Sequence, residues 1–125
     1  MTIAFWCVLV ALLMPYVWFG AIKPTTDNER NLDQPRDFVD RLEGRSKRAW
    51  GAHVNSFEAN TPFAAGVIIA HLAHATQSWI DALAVLFVIL RIIYGVLYIN
   101  GAGKLRSAVW SLSMLCIIGL FLIGI

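Results

Sequence analysis

The chain has 125 residues, of which 58% are hydrophobic and only 14% charged, with a net charge of +2. That balance is too apolar for a soluble domain with a single core and implies an integral membrane protein. The small positive excess is offset locally by acidic residues and forms no uncompensated basic stripe, which argues against nucleic acid as a partner.

Four runs of about 20 mostly apolar residues read as membrane-spanning helices. They cover Ile3 to Ile22, Asn60 to Gln77, Trp79 to Ile99 and Ser107 to Ile125. The first run has no Lys or Arg ahead of it, and Phe19-Gly20-Ala21 is a poor cleavage site, so it is expected to be a retained helix and not a signal peptide. Trp6, Tyr16 and Trp18 suit the aromatic belt at the ends of such a helix.

The next segment, residues 23–46, is polar and carries Pro24 and Pro35, so its first half reads as a loop. Beyond Pro35, Phe38, Val39 and Leu42 recur at helical spacing among charges. A short amphipathic helix at the membrane surface and a solvated loop are both compatible with that pattern. Lys23, Arg30, Arg36, Arg41, Arg45, Lys47 and Arg48 precede the second span, and Lys104 and Arg106 separate the third from the fourth. The turn from His74 to Asp81 has no Lys or Arg. The positive-inside rule then puts both basic loops in the cytoplasm and both termini outside.

The helix leading into the second span carries Asn55 and Glu58 directly ahead of the apolar stretch from Pro62 to Ala70. An ionisable group at that depth costs roughly 2.5–3.5 kcal/mol and usually faces a bundle interior or a polar cavity. Its expected partner is Arg91, embedded in the apolar run Ala82 to Tyr94. At about 100° per residue, Arg48, Asn55 and Glu58 share one helix face. Arg91, Tyr94 and Tyr98, spaced i, i+3, i+7, share another. With Arg106, these polar groups gather in the cytoplasmic half of the bundle. Two readings fit: a buried ion pair that fixes register, or a pocket for a small anionic molecule entering from the cytoplasm.

Other motifs carry less. Cys7 and Cys116 lie in apolar runs and read as small buried hydrophobes. His71 and His74 lack a third ligand, and no metal site is expected. Gly101-Ala102-Gly103 reads as a tight turn.

The order His53-Val54-Asn55-Ser56-Phe57-Glu58, then Pro62-Phe63, Arg91 with Tyr98 seven residues on, and Leu105-Arg106-Ser107 opening the last helix resembles the MAPEG superfamily, the membrane-associated proteins of eicosanoid and glutathione metabolism. The similarity runs from Arg45 to the carboxyl terminus. It implies an all-α, integral membrane four-helix bundle assembled as a homotrimer, with helices at about 3–22, 47–77, 79–99 and 105–125 in one domain of residues 1–125. It further implies that glutathione binds as co-substrate at subunit interfaces. Asn55, Glu58, Arg91 and Tyr98 match positions that hold it, with Tyr94 and Arg48 in the same polar set. Arg106 matches the arginine beside the glutathione sulfur, with Ser107 its neighbour. Catalytic members usually carry an arginine four residues before the asparagine; here that residue is Gly51, and Arg48 stands about a turn further back.

The expected activity is glutathione-dependent transfer to, or peroxide reduction of, a small hydrophobic substrate, in contact with membrane lipids and in a bacterial inner membrane. The alternative is a non-catalytic lipid-binding or structural protein of the same fold.

Overall fold

A computed structural model describes residues 1–23 and 37–125. The loop expected around Pro24 and Pro35, with Arg30 and Arg36, lies outside the described residues. Four helices account for most of the rest: α1 Ile3–Gly20, α2 Gly44–Leu72, α3 Gln77–Asn100 and α4 Gly103–Leu122. No strand occurs among the described residues. Helices α2 and α3 pack on each other and on both outer helices, and α1 and α4 take the two flanks.

Three of the helices, α1, α3 and α4, are long and apolar enough to cross a membrane. Helix α2 falls short of that measure of apolarity because charged and polar residues fill its first half, ahead of the apolar stretch from Pro62 to Leu72. Its 29 residues rise about 44 Å, more than a hydrocarbon core of about 30 Å, and its first half holds the charges. It starts at Gly44, ahead of the expected residue 47, and stops at Leu72, short of Gln77. It stops there because His74 adopts a left-handed φ of 56°, which lets the Ala75 amide bond back to the Ala70 carbonyl and close the helix end. At the other face of the bundle Gly101, with φ 79°, does the same for α3, and the Ala102 amide reaches the Leu97 carbonyl.

The residues Phe38 and Leu42 settle the amphipathic segment. Asp37–Arg41 forms a single 3₁₀ turn, and both apolar side chains are buried in the end of the bundle with Trp18, Ile22 and Trp50 packed in the same cluster. They plug the bundle and do not lie flat on a bilayer surface.

Helix α1 shows how polar groups organise an apolar helix. Thr2 caps it, accepting from the Phe5 amide at 3.4 Å, and the Asp81 carboxylate of α3 accepts from the Ala4 amide at 2.8 Å. A carboxylate at a helix N-terminus meets both the free N–H groups and the dipole. Further along, Pro15 has no N–H to donate to the Ala11 carbonyl one turn before it. That carbonyl is bonded instead by the buried Asn60 side chain of α2. The Pro15 carbonyl in turn accepts from His53 Nδ1 at 2.7 Å. Below these contacts Phe63 and Phe87 stack at 3.9 Å between centroids in the centre of the core.

A rescue experiment follows. Asn60→Leu should destabilise the protein by about 1–3 kcal/mol by stranding the Ala11 carbonyl. Adding Pro15→Ala restores an N–H to that carbonyl and should recover most of the loss. Unfolding titrations of the two variants in mixed micelles check this.

Candidate functional site

The polar residues of α2, α3 and α4 meet in one connected chain. Glu58 and Asn55 stand one turn apart on α2, and the Asn55 amide nitrogen donates to Glu58 Oε2 at 3.2 Å. The Asn55 amide oxygen accepts from Arg91 Nη2 of α3 at 2.8 Å. The Arg91 guanidinium carbon lies 4.2 Å from the centroid of the Tyr94 ring, and Tyr94 meets Tyr98 edge-on at 5.7 Å. Arg106, at the start of α4, then covers the Tyr98 ring at 4.2 Å. Cation–π contacts of this kind gain strength where water is excluded.

Arg91 is completely buried, and its Nε and Nη1 have no hydrogen-bond partner among the described residues. A buried guanidinium with a single hydrogen bond is costly, so the groups around it matter. The direct Glu58–Arg91 ion pair expected from spacing does not form. Asn55 bridges them, because its amide offers one acceptor and one donor pair at once. Glu58 itself is exposed on the side of the single chain.

Two cavities open along this chain. The larger, about 430 Å³, is lined by Tyr94, Arg106, Ser107, Trp110 and Ser111, a volume in the range of small-molecule sites. The smaller, about 120 Å³, is lined by Asn55, Glu58, Ala59, Trp110 and Met114. Trp110 is the wall they share. Ser107 and Ser111 donate to the carbonyls of Gly103 and Ser107, both at 3.1 Å, which leaves their oxygens able to accept. Either hydroxyl becomes a donor to a ligand by rotating away from the preceding turn.

Sequence reasoning missed Trp110, Ser111 and Met114. The signal was present: Trp110 is four residues after Arg106 and Ser111 four after Ser107, so they continue the same stripe of α4.

Arg48 goes elsewhere. Its Nε donates to the Ile99 carbonyl at 2.8 Å, and Arg45 donates to Asn100 Oδ1 at 3.1 Å. Both arginines serve the C-terminal end of α3, where free carbonyls and the dipole attract cations. Grouping Arg48 with Asn55 is therefore corrected by tertiary packing.

Gly51 also gains a physical account. A Cβ there would lie 2.5 Å from Tyr98 Oη and 2.7 Å from its Cζ. The glycine makes room for the ring that carries Arg106. Gly51→Ala should push Tyr98 aside and cost about 1 kcal/mol, readable as a lowered unfolding midpoint in detergent. Tyr98→Phe in the same background should return part of it, since the hydroxyl is the nearest atom.

A helical membrane bundle with a polar chain gathered toward one end, buried at Arg91 and Tyr94, and two cavities on it is the class this geometry defines. The family model of the MAPEG family matches residues 3–125, and the chain belongs to that family. No curated protein and no solved structure gives a significant match. Family and spans together make it an integral membrane protein in contact with lipid, in a family tied to glutathione and eicosanoid metabolism.

Proposed function

We propose that this protein is a glutathione-dependent transferase or peroxidase acting on hydrophobic electrophiles dissolved in the bilayer. The observation that carries the proposal is the unbroken chain from Glu58 through Asn55, Arg91, Tyr94 and Tyr98 to Arg106, ending beside a cavity of about 430 Å³.

In this reading Asn55, Glu58, Arg91, Tyr94 and Tyr98 hold the tripeptide and Arg106 faces its sulfur. A thiol with a pKa near 8.5 is mostly protonated at neutral pH, and a neighbouring guanidinium favours the thiolate. The guanidinium keeps its own proton, so it remains a counter-ion throughout. Ser107 adds a hydroxyl donor once its hydrogen turns from Gly103. In the transfer reaction the thiolate sulfur forms a bond to the electrophilic carbon, and the electron pair of the breaking bond leaves with the departing group. Trp110 offers an apolar face to a substrate arriving from the bilayer.

Exposed Glu58 supports a closed homo-oligomer, with a trimer implied by the resemblance. A second subunit against that face would remove the carboxylate from lipid. The basic loops support a cytoplasmic position for this end with both termini outside, on the periplasmic side if the membrane is a bacterial inner one. Fusions of a cytoplasm-active reporter should be silent at either terminus and active after residue 102. An active carboxyl-terminal fusion refutes the orientation.

The functional test is thiolate absorbance on adding glutathione to the purified protein, followed by conjugation of an aromatic electrophile and reduction of a lipid hydroperoxide. A rise in thiolate signal with turnover is expected. A second reading, a non-catalytic lipid-binding protein, is favoured by the internal hydrogen bond of Arg91 to Asn55, which needs no ligand. No thiolate and no turnover would select it.

A further inference from the structure

Three cations surround the turn between α3 and α4. Arg45 stands in the first turn of α2, and its Nη1 donates to Asn100 Oδ1 at 3.1 Å. Arg48, one turn on, donates from Nε to the Ile99 carbonyl at 2.8 Å and lies over the turn, its Cζ 3.8 Å from where a Gly101 Cβ would stand. Lys104 follows in the first turn of α4. Arg45 and Lys104 are exposed and Arg48 is half-buried. Among the described residues no carboxylate pairs with any of the three, Glu43 at the head of α2 included. Each arginine uses one nitrogen on the end of α3 and keeps the others.

The acidic residues of this end are turned elsewhere. Asp37 and Asp40 belong to the 3₁₀ turn, which Phe38 anchors edge-on against Phe19 of α1 and Trp50 of α2. Lys47 reaches the same turn at the Val39 carbonyl. At about 100° per residue, Lys47 and Trp50 share one face of α2, whereas Arg45 and Arg48 share another. Charge is therefore segregated, with acids and a lysine together beside α1 and cations alone over the α3–α4 turn.

Depth decides what these cations meet. Both α3 and α4 are long and apolar enough to cross a membrane, so the turn between them stands at the level of lipid headgroups. We infer that Arg45, Arg48 and Lys104 hold the phosphodiester of an anionic glycerophospholipid at this turn. A phosphodiester brings two non-bridging oxygens, which accept from guanidinium forks, and the Lys104 ammonium adds a compact charge. A zwitterionic headgroup carries its own cation into a cluster of three, so a headgroup of net negative charge is selected. Further along α4, Leu105, Leu112 and Leu115 are open to the outside, where the acyl chains run. The cluster shares no residue with the two cavities of the candidate site, and lipid capture there does not depend on catalysis.

Native mass spectrometry of the full protein tests this with dioleoyl phosphatidylglycerol against dioleoyl phosphatidylcholine, identical except in the headgroup. The gain per cation at an anionic membrane surface is about fivefold, so the unmodified protein should prefer phosphatidylglycerol by well over that factor. Lys104→Gln should lower the preference about fivefold. Adding Arg45→Gln, which keeps a donor for Asn100, should lower it again by a similar factor. Arg41→Gln removes an exposed cation of the 3₁₀ turn and should leave the preference unchanged. Equal retention of the two lipids by the unmodified protein overturns the inference, as does a preference undiminished in Lys104→Gln. A loss in Arg41→Gln as large as that in Lys104→Gln means diffuse surface charge and no site, and displacement of the lipid by millimolar glycerol phosphate means a soluble anion is the ligand; either result overturns it.

Discussion

Replacing Arg106 by leucine should lower turnover of a hydrophobic electrophile by about a hundredfold or more, the usual effect of removing one group that stabilises developing charge at a reacting atom. Glutathione affinity should change far less, because Asn55, Glu58, Arg91 and Tyr98 remain. Arg106→Lys separates charge from shape. It keeps the positive charge but loses the planar fork and the stacking on Tyr98, so its turnover should fall between the two. A glutathione series at saturating electrophile gives kcat and KM for each variant. Loss in kcat with little change in KM marks an interaction strongest in the transition state, and unchanged turnover in both variants would remove Arg106 from the reaction.

Asn55→Leu should be the most damaging single change to the fold outside the aromatic core. Arg91 is fully buried and its one hydrogen bond among the described residues is to Asn55, so the variant strands the guanidinium. Losing a hydrogen bond to a buried charged group costs about 1.5–3 kcal/mol, and an uncompensated buried charge costs more. Arg91→Leu in the Asn55→Leu background should restore much of the stability by removing the stranded charge. Glu58→Gln should cost little, because Glu58 is exposed and reaches Arg91 only through Asn55. Unfolding titrations of the single and double variants measure the coupling. Additive losses at Asn55 and Arg91 would show that the bridge contributes nothing to stability.

Helix number and the polar set of α2, α3 and α4 were legible because a membrane sequence separates its apolar runs cleanly and makes every exception visible. Asn55, Glu58, Arg91 and Arg106 stand out as such exceptions. What spacing could not supply was pairing. Helical periodicity puts Arg48 on the face of Asn55, yet the end of α3 competes for it with the Ile99 carbonyl. It also puts Glu58 within reach of Arg91, yet the shorter Asn55 intervenes. Gly51 looked like a missing arginine in a family pattern, and its physical meaning depends on a Tyr98 ring nearly fifty positions away. The start of α2 was placed late because its charged first turns carry no apolar signal. Trp110 was overlooked for the opposite reason, since an aromatic residue among apolar neighbours attracts no notice until a cavity is seen on either side of it.

The contacts on α1 have a consequence for how this protein can change over time. Asp81, Asn60 and His53 all bond to its backbone, at Ala4, Ala11 and Pro15, and none of these bonds reads an α1 side chain. Lipid gives little hydrophobic reason for one apolar helix to prefer a given register against another. Here the alignment is written in the neighbours' side chains and in the one missing N–H of Pro15. The apolar residues of α1 that face outward are consequently free to drift among Leu, Ile, Val and Phe, whereas Pro15 and Asn60 are tied to each other: a lineage that loses one gains by losing the other.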